Sequence, residues 1–442
     1  MKKLSFLKQI SWLFSGQMAS ILLGILSVII VSRALGPEGR GILSICLLLS
    51  TSLITFTEFG SGQAITRLTA AKKWKRADIY YSNFLVGIIR VILMLVIAAA
   101  ILLFFKEFFF SGVPINLLIL VLFDLIPVAA LSYLLPYIFG LGRTAAYSIF
   151  LALTPCSIII LAVLYFIQYD ITVKDILLLQ IIWSFLIALV VLVYLKLKVK
   201  LGVKKFDIRY LKEAFIFGSG SFISNILIFT NSRLIFLVIN TFLGLYAVGI
   251  YSLSFALAEK FYIISDAIGS ALFVRASEKG LMKSELDFSA QVFRLNIILI
   301  SILVLVFINI ADYLIPFLLG KEFYDSIVLV KLLSFAFIFQ CGWRVLWQIL
   351  NGHGRSWVTA RINVIITVSN IVLICILLPL WGLLGMAYAF VGASFLGMLL
   401  GANELKKLSQ EKSFFSIILF SKEDFSLLFY AVNKIYRNLI SS

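Results

Sequence analysis

Apolar residues come in runs of about twenty, one after another, along almost the whole chain. No other feature limits the fold so strongly. A helix rising roughly 1.5 Å per residue crosses about 30 Å of hydrocarbon in about 20 residues, so each run has the length of a membrane span. A β-barrel in a membrane would show alternating segments of about 10 residues instead. Composition agrees: 62% of 442 residues are hydrophobic and 13% are charged, with mean hydropathy +1.09. Soluble domains carry about 25% charged residues. The chain is expected to be an all-α integral membrane protein.

Twelve spans are predicted, near 10–32, 42–65, 79–104, 115–138, 145–167, 175–195, 213–239, 245–270, 290–310, 326–350, 358–379 and 382–403. The basic start, Met1-Lys2-Lys3 through Lys8, resembles a signal peptide, but the run to Val31 is too long for one, so it reads as an uncleaved first span. The even-numbered connections hold the charge. Arg67, Lys72, Lys73, Lys75 and Arg76 sit in the second, Lys196 to Lys212 in the sixth, and Arg275, Lys279 and Lys283 in the eighth. Lys406, Lys407 and Lys412 follow the last span, whereas external connections carry little beyond Arg33, Arg40, Lys106, Lys174 and Lys321. By the positive-inside rule both termini are cytoplasmic. The same rule accounts for the net charge of +17, and no soluble basic domain exists to hold nucleic acid.

Cys46, Cys156, Cys341 and Cys375 lie inside apolar runs and form no C-x-x-C pair. They are expected in the core, with neither a disulfide framework nor a zinc site. No cofactor is implied. The tail, 405–442, places Phe425, Leu428, Val432, Ile435 and Leu439 at helical spacing, as in an amphipathic helix on the inner leaflet; a thirteenth span is the alternative.

The chain repeats itself. A shift of 208 carries Leu35, Gly36, Gly41, Ile42 and Ser44 onto Leu243, Gly244, Gly249, Ile250 and Ser252. The same shift carries Gln17 onto Asn225, Glu58 onto Asp266 and Arg67 onto Arg275. A shift of 212 carries Gly140-Leu141-Gly142-Arg143-Thr144 onto Gly352-His353-Gly354-Arg355-Ser356. One duplication with small insertions explains both. Each half holds six spans, an even number, so the halves are related by an axis along the membrane normal. Two six-helix lobes, 1–200 and 201–404, are expected around a central cleft that opens to either side in turn. Gly36 and Gly244 follow helix ends and call for positive φ. The Gly-x-Gly turns lack the preceding strand and the lysine of a nucleotide loop. His353, the lone histidine, reads as a turn residue.

Charges at membrane depth face a cavity or a partner. Thr51, Thr55, Glu58 and Gly62 form one helical stripe, with Glu259, Ile263, Asp266 and Ser270 as its mates. Glu58 and Asp266 are expected either to pair with Arg67 and Arg275 at an inner gate or to serve ion coupling, with Asp124 and Glu259 as further acids. Gln17 and Asn225, on spans one and seven, are expected to line the cleft, and Asn363, Thr367 and Asn370 form a similar face. Arg90, Arg233, Arg344 and Arg361 are the cationic candidates for substrate binding. A planar guanidinium suits phosphate oxygens, so an anionic substrate is favoured.

The opening span, the Leu35-Gly36-x-x-x-x-Gly41 turn, the segment from Glu58-Phe59-Gly60 to Arg67, and the Gly-x-Gly-Arg turns resemble the polysaccharide repeat-unit (O-antigen) flippases. These share a superfamily with the multidrug and toxin extrusion exporters and the lipid II flippases. The resemblance spans about residues 1–405 and rests on order and spacing rather than any single motif. It implies a multi-pass protein of a bacterial inner membrane that moves an undecaprenyl-pyrophosphate-linked oligosaccharide from the cytoplasmic to the periplasmic leaflet. It also implies membrane lipids, a polysaccharide polymerase and chain-length proteins as partners. A drug or cation exporter of the same fold is the alternative. A membrane enzyme is disfavoured: no large external loop, nucleophile–base set or metal cluster is present.

Overall fold

Gly36 and Gly244 are the points where two of the helices turn. In the computed structural model Gly36 has φ 64° and Gly244 φ 81°, a region open to glycine because it has no Cβ. The two sequence repeats thus fold alike at the stretch that first revealed them. Residues 2–71, 73–168, 170–199, 205–279 and 283–409 are described by the structure. The expected amphipathic tail helix lies outside them.

The chain runs through α1 (Lys2–Thr57), α2 (Ser61–Ala70), α3 (Arg76–Phe104), α4 (Lys106–Phe109), α5 (Ile115–Leu122), α6 (Leu125–Gly140), α7 (Thr144–Leu153) and α8 (Ser157–Phe166). It continues through α9 (Val173–Lys198), α10 (Ile208–Phe229), α11 (Ile235–Ala258), α12 (Tyr262–Lys279), α13 (Lys283–Leu319), α14 (Ser326–Gly352) and α15 (Ser356–Ser409). Among the described residues, nine helical stretches are long and apolar enough to cross a membrane. The protein is a multi-pass membrane protein. Local chemistry sets several ends. Thr172 and Asp175 form a reciprocal capping box at the start of α9, and Asp207 accepts from the Arg209 and Tyr210 amides before α10.

Two compact units follow from the packing: Met1–Leu253 with Ile315–Tyr324, and Ser254–Leu314 with Asp325–Ser442. The first has a core around Ile79, Leu134, Tyr137, Val191 and Tyr210; the second, around Phe293, Leu346, Ile349, Ala393 and Leu405. Helix faces outside these cores stay apolar. On α3, Arg90, Met94 and Ala98 turn inward while Ile89, Ile92 and Val96 are exposed. That pattern suits a lipid solvent, where apolarity gives no inward drive and small residues and hydrogen bonds select the packed face.

The same physics corrects the cysteine expectation. Cys46 and Cys341 are buried, but Cys156 is half-buried and Cys375 exposed. An apolar run in a membrane span does not separate core from outer face. The polar face of span eleven is likewise corrected: Asn363, Thr367 and Asn370 are buried within the second unit, where Asn363 accepts from Trp343 Nε1 at 3.1 Å.

Candidate functional site

The acid of the first repeat lies at a helix break. α1 stops at Thr57, and Phe59 (φ 48°) and Gly60 (φ 67°) turn left-handed before α2. The expected stripe from Thr51 to Gly62 is therefore not one helix. Half-buried Glu58 sits in that turn beside Arg90, its electrostatic neighbour. Arg90 is buried and donates three hydrogen bonds: Nε to Thr57 Oγ1 at 3.1 Å, Nη1 to Ser132 Oγ at 2.8 Å and Nη2 to the Ile54 carbonyl at 2.8 Å.

The acid of the second repeat is held differently. Asp266 lies within α12 and pairs with Arg344 of α14. The side chains of the pair keep 31% (Arg344) and 44% (Asp266) of their exposure. The Arg344 guanidinium stands 4.9 Å from the Trp347 ring centroid and 6.0 Å from that of Tyr262. Trp347 Nε1 is buried with no hydrogen-bond partner among the described residues. Around the pair, Tyr262 donates to Gln340 Oε1 and Gln340 Nε2 to Ser394 Oγ, both at 2.8 Å, and Ser265 donates to Asn296 Oδ1 at 3.0 Å.

The expected partners were thus misassigned. Arg67 is exposed and packs over the Phe217 ring at 4.2 Å. Arg275 makes a forked pair with buried Glu285, at 2.5 and 3.0 Å, and covers Phe288. Glu285, in the next helix, holds the Arg275 guanidinium above its usual pKa. The sequence repeat explains the real pattern in part. The 212 shift that relates the Gly-x-Gly turns carries Ser132 onto Arg344, and Ser132 receives Arg90. Each repeat brings a guanidinium to the equivalent place, from α3 in one and α14 in the other.

Arg233 lies in a π-helical turn, Thr230–Leu234, half-buried, 6.0 Å from the Phe236 ring centroid. Its electrostatic neighbour is Arg40, which the sequence places in an external turn. Arg40 is buried, and its Nη1 donates to Ser32 Oγ at 2.6 Å across the Gly36 bend. An arginine four residues after a positive-φ glycine was the available signal. Asp124 is buried at the break between α5 and α6; Gln180 donates to its Oδ2 at 3.0 Å, while Oδ1 has no partner among the described residues. Glu259 is half-buried in a one-turn break before α12. Gln17 and Asn225 are both exposed. Arg361 is exposed, with Glu404 at 3.7 Å.

Within the first unit the repeated turns meet. A Cβ on Gly249 would lie 1.8 Å from the Pro37 carbonyl oxygen, and one on Gly41 2.0 Å from that of Leu245. Ser44 donates to Ser252, its repeat mate, at 2.9 Å. A second close approach joins Gly60 to Gly218, near the Lys73–Glu213 ion pair at 2.8 Å.

A family described as polysaccharide biosynthesis protein matches residues 6–278. The chain belongs to this family. No curated sequence matches it. Among solved structures it is similar to the lipid II flippase MurJ in an inward closed conformation, with TM-score 0.71, 15% identity, and 97% of this chain and 99% of that one covered. It is similar to an inward-facing multidrug resistance MATE family transporter of the MOP superfamily, at 0.69, 14%, 89% and 96%. The eukaryotic MATE transporter AtDTX14 follows at 0.65, 15%, 91% and 97%. At these identities the likeness is one of fold.

Proposed function

We propose that the protein is a flippase that moves undecaprenyl-pyrophosphate-linked oligosaccharide repeat units from the cytoplasmic to the periplasmic leaflet of a bacterial inner membrane. It works without enzymatic chemistry, by alternating access between two six-helix lobes, 1–200 and 201–404. The observation that carries this reading is the half-exposed Asp266–Arg344 pair beside Trp347 and Tyr262, in a chain of a polysaccharide biosynthesis family. A guanidinium open to solvent can exchange a carboxylate for a phosphate oxygen, and aromatic faces beside it suit sugar rings.

Twelve spans are supported by length. The stretches Ser15–Thr57, Phe222–Phe273 and Ser356–Ser409 hold 43, 52 and 54 residues. At about 1.5 Å per residue each is roughly twice a 30 Å layer. Each contains a non-helical glycine: Gly36, Gly244 or Gly382. Nine stretches with three divided give twelve spans. The basic even-numbered connections place both termini in the cytoplasm. In this cycle the Gly41–Gly249 crossing closes the external end, Arg233 of the first unit and Arg344 of the second each serve as a cation for substrate phosphate, and Glu58, Asp124, Glu259 and Asp266 are the acids open to coupling ions.

The test uses cells in which this protein is the sole flippase for a surface polysaccharide. Arg233→Ala and Arg344→Ala are expected to abolish that polysaccharide at unchanged membrane abundance. Normal polysaccharide in both variants would remove the proposal. Drug efflux that depends on the protein while polysaccharide does not would select the exporter alternative, for which Asp124 and Glu58 are the acids of the first lobe.

A further inference from the structure

We propose that the Gly-Leu-Gly-Arg turn of the first repeat builds a binding site for the phosphate-bearing headgroup of an anionic inner-leaflet lipid. A pocket of about 350 Å³ is lined by Arg76, Leu141, Arg143, Leu197, Lys198 and Val199. Three separate connections converge there: the start of α3, the turn before α7 and the end of α9. All three are even-numbered in the topology above, and the inference rests on that reading for its side of the membrane.

Arg143 is held in place by neutral groups. Nη1 donates to the Tyr194 hydroxyl at 3.0 Å and Nη2 to the Lys198 carbonyl at 2.7 Å, and the guanidinium lies over the Tyr194 ring. These contacts use two of its five N–H donors and leave its charge uncancelled. Among the described residues, neither Arg76, Arg143 nor Lys198 pairs with a carboxylate. Four other cations of the even-numbered connections and the α15 end are engaged: Lys73 with Glu213, Arg275 with Glu285, Lys407 with Glu404 and Arg67 with the Phe217 ring; what sets Arg76, Arg143 and Lys198 apart is that they line one cavity. Three like charges around one cavity repel one another, and an anion between them relieves that repulsion.

The pocket wall points to a lipid rather than free phosphate. Leu197, 70% exposed, stands beside Lys198, so an acyl chain and a headgroup are both accommodated. Basic pockets between spans at the cytoplasmic surface commonly take anionic headgroups. The volume is at the small end of ligand pockets, about 300–1,000 Å³, which fits a headgroup and not an oligosaccharide.

The test is native mass spectrometry of the purified full chain with phosphatidylglycerol or phosphatidylcholine. The wild type and Arg355→Gln, altered in the repeat-mate turn, are expected to retain phosphatidylglycerol in preference. Arg143→Gln and Lys198→Gln are expected to retain roughly tenfold less. Lys198 ends a helix with its side chain exposed, so Lys198→Gln stays informative if Arg143→Gln fails to fold. Equal retention of the two lipids, or full retention by Lys198→Gln, would overturn the site. Displacement by millimolar inorganic phosphate would overturn the lipid assignment. A Lys198→Cys probe in a cysteine-free background is expected to react with an impermeant maleimide only in inside-out vesicles. Reaction in intact cells would sink the topology while leaving lipid retention in detergent as a separate result.

Discussion

Glu58 and Asp266 are repeat mates, and each has an arginine, yet the two centres are built for different work. Arg90 is buried against two hydroxyls and a carbonyl, with Glu58 beside it. Arg344 has one carboxylate partner, a half-buried side chain and two aromatic faces. A guanidinium whose donors are taken by neutral acceptors fixes helices; it ties α3 to α1 and α6. A guanidinium in a half-exposed pair gains little from that pair wherever water from the cleft reaches and screens it. It is free to trade partners. The duplication thus kept a cation beside an acid in both units; under the function proposed above, the contacts of Arg90 suit a structural role and those of Arg344 a ligand-directed one.

The largest effect is expected where Arg90 is removed. Arg90→Ala would strand the acceptors of Thr57, Ser132 and Ile54 and leave Glu58 without its neighbouring cation. The cost should be about 3 kcal/mol or more. Buried Cys46 and Cys341 report the two units separately, since each is free and fully enclosed. In single-cysteine backgrounds, Arg90→Ala should expose Cys46 to a thiol dye at a markedly lower temperature, with Cys341 less affected. Unchanged Cys46 protection would break the comparison.

A smaller effect on stability, and a sharper one on function, is expected at Arg344. Arg344→Ala and Asp266→Asn should each shift stability by no more than about 1 kcal/mol. The exchange Asp266→Arg with Arg344→Asp restores the pair in reverse. Transport measured by surface polysaccharide should stay lost in the exchange, because the cation no longer stands between Trp347 and Tyr262. Recovered transport would mean that Arg344 serves only to hold Asp266, as a gate latch.

Much of this was legible in the sequence, and the limit has a physical form. Local geometry came through: the glycine positions at 36 and 244 called for positive φ and have it, and the mates Ser44 and Ser252 touch. Long-range choice did not. Asp266 plainly needed a cation, but 78 residues separate it from Arg344, and nearer Arg275 offered an equal charge. Only packing shows that buried Glu285 claims Arg275. The break at Glu58 was hidden too, since Phe59 adopts a conformation that its side chain does not favour. Lipid-facing and buried surfaces are both apolar, so burial of Asn363, Thr367 and Asn370 could not be separated from lining a cleft.

Arg361 completes the comparison as the weakest of the four cationic candidates. Its nearest acid, Glu404, is 3.7 Å away, and its side chain keeps 66% of its exposure. Lys407 already holds the same carboxylate oxygen at 2.6 Å. Removing Arg361 therefore strands nothing: the acid keeps its cation, and no buried acceptor loses a donor. Arg361→Ala should change thermal stability by less than about 0.5 kcal/mol, as for exposed sites in general. Surface polysaccharide should stay at the wild-type level. Loss of polysaccharide at unchanged stability would put Arg361 on the substrate's path, and the division of labour between Arg90 and Arg344 would then need a third cation.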